Sequence, residues 1–99
     1  MKPIDVAIDD YMHVIARTRP WSIRREEDLL EAFSEWLYEQ PEPRVMLDEI
    51  AQEQVQHFVA ATGWSEEAQR ELIDVLNNLY LWSGKQGWIV VNPFEGVTA

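Results

Sequence analysis

Apolar residues fall on one helical face in four separate stretches of this chain. Ile4, Ile8, Tyr11, Met12 and Ile15 recur at three- and four-residue steps, which predicts a first helix from about Ile4 to Arg17. Thr18-Arg19-Pro20-Trp21 breaks it, because proline lacks a backbone donor and turns the residue before it away from helix. Leu29, Leu30, Phe33, Trp36 and Leu37 predict a second helix from about Ser22 to Glu39, stopped by Gln40-Pro41-Glu42-Pro43. Ala51, Val55, Phe58 and Val59 predict a third, beginning between Asp48 and Gln52 and ending near Thr62. Gly63 suits the left-handed position just past its end. Ala68, Leu72, Val75, Leu76 and Leu79 give a fourth helix from Ser65 to Ser83. Ser65 stands where an N-cap is wanted, with Glu66 and Glu67 in the first turn, where the helix dipole favours negative charge. Trp64, just before that cap, is placed to act as a hydrophobic staple. Gly84 and Gly87 are expected to end the helix, and Asn92-Pro93 biases the exit toward extended backbone. Short connections return neighbouring helices antiparallel, so the expected fold is all-α, built of two helical hairpins. Any strand-like alternation is confined to Trp88-Ile89-Val90-Val91.

Ninety-nine residues support one core, and 46% hydrophobic content with five tryptophans argues for a packed unit rather than disorder. Cysteine is absent, which excludes disulfides and thiol chemistry. No apolar run approaches a membrane span and the N-terminus has no signal-peptide pattern, so a soluble, cytoplasmic protein with no membrane partner is expected. His13 and His57 lie on different helices without metal-ligand spacing, so no metal or other cofactor is expected. Glu26, Glu27, Asp28 and Glu31 read as a solvated helix surface rather than an acid–base pair. Tyr11, Tyr38 and Tyr80 lie on or beside apolar stripes and read as structural. The chain is therefore not expected to be an enzyme by itself.

Eighteen acids against eight bases give a net charge of −10, although a domain that meets phosphate is usually basic. The distribution changes that picture. Arg17, Arg19, Arg24 and Arg25 fall within residues 17–25, which hold no acid, and the chain on either side is acidic. Two readings of this island stand. It anchors a phosphate backbone, or it pairs with Glu26, Glu27 and Asp28 on a solvated helix start. Trp21, Trp36, Trp64, Trp82 and Trp88 exceed what a small core needs, and exposed members would mark a protein contact.

In order and spacing, these segments resemble one family. Trp21-Ser22-Ile23-Arg24-Arg25 leading into Leu29-Leu30-Glu31-Ala32-Phe33-Ser34-Glu35-Trp36-Leu37 is similar to the second helix of the N-terminal, SAM-like core-binding domain of tyrosine recombinases, the phage-integrase family. Leu47-Asp48-Glu49-Ile50-Ala51-Gln52-Glu53-Gln54-Val55-Gln56-His57-Phe58 looks like that domain's entry into its third helix, with Ala51 where a Thr cap is usual. The fourth helix followed by Gly84-Lys85-Gln86-Gly87-Trp88-Ile89-Val90-Val91-Asn92-Pro93-Phe94 resembles its end. The likeness covers residues 4–96.

The resemblance implies hairpins crossing steeply in a domain of residues 1–96, with residues 97–99 beginning a linker to an absent catalytic domain. It implies a DNA-binding arm for DNA integration or recombination, in which the separate domain supplies a tyrosine nucleophile. The implied contacts to double-stranded DNA are Ser22, Arg24 and Arg25 at one helix start and Ser65, Gln69 and Arg70 at another, with Arg17 and Arg19 nearby. Asn77 and Asn78 stand where the family often carries arginine, and Glu71 and Asp74 beside them disfavour phosphate, so binding by this domain alone is expected to be weak. Trp82 and Trp88 are the candidates for contact with the catalytic domain or with other recombinase protomers. The alternative is an acidic helical protein–protein interaction module that does not bind DNA autonomously. A high-salt cytoplasm is a further source of the acidity. The DNA reading requires the two helix starts to converge on one face, with Glu31, Glu35 and Glu42 turned elsewhere and without acids filling the space between the starts, because acids within a Debye length of about 8–10 Å cancel the field of the arginines. The module reading puts exposed tryptophan at the largest patch instead.

Overall fold

Helices α1 (Ile4–Thr18), α2 (Ile23–Tyr38), α3 (Gln52–Thr62) and α4 (Glu66–Lys85) follow in that order, with 3-10 turns at Pro20–Ser22 and Leu47–Glu49. The computed structural model describes residues 2–95, so the expected linker at residues 97–99 lies outside the described residues. Among the described residues there is no strand, and the Trp88–Val91 segment runs without one. An isolated antiparallel bridge joins Pro3 to Met46 and ties the N-terminus to the loop before α3. The architecture is the four-helix, all-α one that the periodicity predicts. No helix among the described residues is long and apolar enough to cross a membrane.

Helix α2 packs against α1, α3 and α4. Its stripe Leu29, Leu30, Phe33 and Leu37 is accordingly buried. Two ties fix α1 and α2 as an antiparallel hairpin. Arg19, just past the end of α1, meets Glu26 in the first turn of α2 at 3.1 Å, and Tyr38 at the end of α2 donates to Asp5 in the first turn of α1 at 2.7 Å. That hydrogen bond, with burial adding to it, pushes the Tyr38 hydroxyl up to about 12.

Helix α3 has eleven residues and buries only Val55 and Phe58, too little length to hold a helix unaided. Phe58 secures it. Its ring sits edge-on to Phe33 (5.4 Å), Trp36 (5.6 Å) and Trp64 (4.7 Å), arrangements that aromatic quadrupoles favour. Trp64 thus packs back on α3 rather than stapling α4. The α4 position a staple would reach is Gln69, which offers no apolar partner. On α4, the buried Tyr80 donates to the Leu47 carbonyl at 2.6 Å and packs on Phe94 at 5.1 Å. Burial, with the Asp48 charge adding to it, raises that hydroxyl's pKa.

The helix ends follow local chemistry. Gly63 adopts φ +71° and its N–H bonds the Val59 carbonyl, which closes α3 through a left-handed residue. Ser65 caps α4 by accepting the Ala68 N–H at 3.1 Å. At the other end α4 runs through Gly84, which is not the stop expected of it. Gly87 (φ +78°) is the stop, since Trp88 N–H returns to Ser83 and Gly87 N–H to Gly84, the two bonds of a Schellman closure. A glycine inside a helix costs only about 1 kcal/mol, so Gly84 alone does not end one. At the start of α3 only half a capping box exists. Gln54 accepts the Ala51 N–H at 2.8 Å, and Ala51 has no hydroxyl with which to reciprocate.

Two outcomes follow for chemical denaturation. Ala51→Ser completes the box and stabilises the fold by about 0.5–2 kcal/mol. Phe33→Ala, at a fully buried position, costs about 3–5 kcal/mol. A loss below roughly 1 kcal/mol at Phe33 would contradict the packing described.

Candidate functional site

The turn between α1 and α2 is built around a buried carboxylate. Glu26 is only 6% exposed and lies on the same face of α2 as Leu30, Phe33 and Leu37. An ionised carboxylate there needs partners. Arg19 Nη2 approaches Glu26 Oε1 at 3.1 Å, and the Ser22 hydroxyl donates to Glu26 Oε2 at 2.6 Å. The same Arg19 nitrogen donates to the Tyr11 hydroxyl at 3.0 Å. Burial raises the Tyr11 pKa, and Glu26 raises it further against the opposing pull of Arg19. Two of the expected DNA contacts, Arg19 and Ser22, therefore bond inward.

The starts of α2 and α4 come together. Arg25 Nε donates to Glu71 Oε2 at 2.7 Å, joining the first turn of α2 to the second turn of α4. The bond and the charge of Glu71 raise the Arg25 pKa, with Asp28 and Glu67 contributing from nearby. Reciprocally, the bond from Arg25, with its charge adding to it, holds the Glu71 carboxyl below the ordinary carboxylate range, against the opposing effect of desolvation. Arg24 and Arg70, neighbours in sequence of this pair, are exposed and form no ion pair among the described residues, and Arg17 at the end of α1 is likewise exposed. Gln69 is half-buried, and the Ser65 oxygen is occupied as the cap of α4. Glu31 and Glu35 lie in the groove between α1 and α2, and Glu42 in a hollow beside Trp36. Those three carboxylates are elsewhere, while Glu71 stands between the two helix starts.

The remaining candidates serve the fold locally. Trp82 packs on Tyr11 (5.5 Å) and edge-on to Trp88 (5.0 Å), and the Lys2 ammonium lies 4.3 Å from the Trp88 ring centroid. Both indoles are half-buried, whereas Trp21 is 80% exposed beside the arginine island. Asn77 accepts from the Asn92 amide at 2.8 Å, and Asn92 Oδ1 accepts the Phe94 N–H at 2.9 Å, so Asn77 fastens the Asn-Pro-Phe exit onto α4. No group of three or more His, Asp or Glu among the described residues is placed to share a metal ion.

Sequence reasoning placed Glu26 among the possible partners of the arginines and Glu71 among the groups that disfavour phosphate, but it missed the burial of Glu26 and the bond of Glu71 to Arg25. Glu26 had a signal, since it continues the apolar stripe of α2 by one step of four residues. Glu71 had none, because its partner is 46 residues away. Comparisons with protein-family models, curated proteins and solved structures find no match to this chain.

Arg19→Met strands the Glu26 carboxylate and is expected to cost about 2–3 kcal/mol in urea unfolding. Adding Glu26→Gln recovers most of that loss, and a double variant no better than the single one would contradict the pairing. Because the Glu71 pKa is lowered on folding, its contribution is present above the ordinary carboxylate pKa and lost as pH falls through the folded value. Glu71→Gln should therefore flatten the acid limb of a melting-temperature profile.

Proposed function

We propose that this chain is a DNA-contacting arm of the tyrosine-recombinase type, which orients duplex DNA for a catalytic domain and binds little DNA alone. The observation that carries the reading is the Arg25–Glu71 contact, because its two ends lie at the starts of α2 and α4, which the packing of these helices sets side by side. Helix starts present N–H groups and a positive dipole end to phosphate oxygens. Arg24 and Arg70 add exposed charge at the same place. The family likeness of the motifs, including an Asn92-Pro93-Phe94 exit that is fastened to α4, supports the same reading. Phosphate contacts of this kind set register and orientation rather than sequence preference. Affinity is low because Arg19 and Arg25 are neutralised by Glu26 and Glu71, within a chain of net charge −10.

A second reading, the acidic protein-interaction module, is favoured by Trp21. An indole 80% exposed on a small domain is a natural anchor for another protein.

Fluorescence anisotropy with a short labelled duplex at two salt concentrations tests the first reading. Arg24→Ala with Arg70→Ala should weaken binding and reduce the salt slope by about 0.9 for each phosphate that is no longer neutralised. Arg44→Ala, on the loop after α2, should do little. Glu71→Gln should strengthen binding by releasing Arg25. Equal losses of affinity from Arg44→Ala and from the paired change, or no binding at low salt, would favour the module.

A further inference from the structure

Helices α1 and α2 leave a groove of about 250 Å³ along their packed edge. Asp5 and Asp9 line one wall, and Glu27, Glu31 and Glu35 the other. The four-residue steps stack each set along its own helix. Ile8, Met12 and Ser34 form the floor. The two ion pairs among the described residues, Arg19–Glu26 and Arg25–Glu71, involve none of these five carboxylates. The Tyr38 hydroxyl bonds Asp5, and it brings no positive charge. Loss of hydration raises the Glu31 pKa, and repulsion from Glu27, Glu35, Asp28 and Asp9 raises it further. Like charges at four-residue spacing destabilise a helix, and apart from Asp5, which accepts the Tyr38 hydroxyl, these carboxylates make no hydrogen bond or ion pair among the described residues.

Ser34 supplies an independent observation. It is 6% exposed, it lies in the middle of α2, and its hydroxyl has no hydrogen-bond partner among the described residues. A helical serine commonly returns its hydroxyl to the carbonyl four residues back. Ser34 does not, and it lines the groove. Its oxygen opens onto the groove rather than being sealed in the core, since the buried side-chain oxygen without a partner among the described residues is that of Ser83.

We propose that this groove docks a basic segment of a partner protein, with arginine or lysine heads between the carboxylate rows and their methylene stems on Ile8 and Met12. Long cationic side chains combine an apolar stem with a charged tip, which suits an apolar floor between acidic walls. A guanidinium N–H also gives the Ser34 oxygen a donor. At 1.5 Å per residue, Glu27 to Glu35 spans about 12 Å, or roughly two turns of a docked helix. That length accommodates about two or three cations at helical spacing. The carboxylates lie in files and form no three-membered cluster fit for a metal ion among the described residues, which favours side-chain cations over a divalent ion. A second copy of this chain is a poor occupant. Each copy carries −10, and two arginines of its basic island are engaged within the fold. The docking does not depend on the DNA reading, since it uses a different face of α2.

Isothermal titration of the chain with an end-blocked helical peptide carrying three arginines at four-residue spacing tests the proposal. A citrulline version of the peptide, spermidine and magnesium chloride serve as separate titrants at physiological ionic strength. Glu31→Gln with Glu35→Gln should weaken the arginine peptide about tenfold. Glu66→Gln with Glu67→Gln removes the same charge from the start of α4 and should weaken it less than about threefold. Ser34→Ala should also weaken it, and the citrulline peptide should not bind. The groove pair relieves repulsion, so its melting temperature should equal or exceed that of the parent and the protein should stay folded. Equal weakening by the two double changes, spermidine or magnesium binding as tightly as the peptide, or no peptide binding would each overturn the proposal.

Discussion

Helix α2 has to bury surface against all three other helices, and most of the molecule's character follows from that demand. A helix packed on several sides needs a wide apolar stripe, which Leu29, Leu30, Phe33 and Leu37 supply. Phe33 meets Phe58 and so holds the short α3, while Phe58 in turn seats Trp64 at the turn into α4. The stripe continues one step too far for an apolar residue. Glu26 occupies its first position, and burial forces it to gather a cation and a hydroxyl donor. The turn that joins α1 to α2 is organised by that requirement.

The electrostatics of the surface are a consequence of this packing. An island of four arginines in an acidic chain invites a phosphate contact, but Arg19 is drawn inward by Glu26 and Arg25 is bound sideways by Glu71. What remains is a pair of adjoining helix starts flanked by exposed Arg24 and Arg70. On the proposed reading, such a face would contribute orientation with little affinity of its own. The opposite charge is concentrated between α1 and α2, where five carboxylates line one groove and none forms an ion pair among the described residues. One helix thereby presents two electrostatic faces: near-neutral toward α4 and strongly negative toward α1.

The four helices were legible because a period of 3.6 residues survives in the apolar positions, and cap residues such as Ser65 and Gly63 have local mechanisms. Where two local signals competed, the sequence was less decisive. Gly84 and Gly87 both read as stops, and only the hydrogen bonds returning to Ser83 and Gly84 distinguish them. Trp64 read as a staple, although its prospective α4 partner is Gln69. The candidate site was less legible than the fold. Reading Glu26, Glu27, Asp28 and Glu31 as one solvated surface obscured the fact that Glu26 alone continues the stripe. The Arg25–Glu71 bond and the exposure of Trp21 rather than Trp82 depend on how distant segments meet, which no local pattern records.

The proposed reading makes the adjoining starts of α2 and α4 a DNA-facing surface weakened by the protein's own carboxylates. Amide chemical-shift mapping with a short duplex at low salt tests it most directly. The account predicts perturbations concentrated at residues 23–27 and 66–71 that fade as salt is raised, with the groove residues Asp5, Asp9, Glu31 and Glu35 unmoved. Perturbations centred on Trp21 alone or on residues 88–91, or none at all, would contradict it.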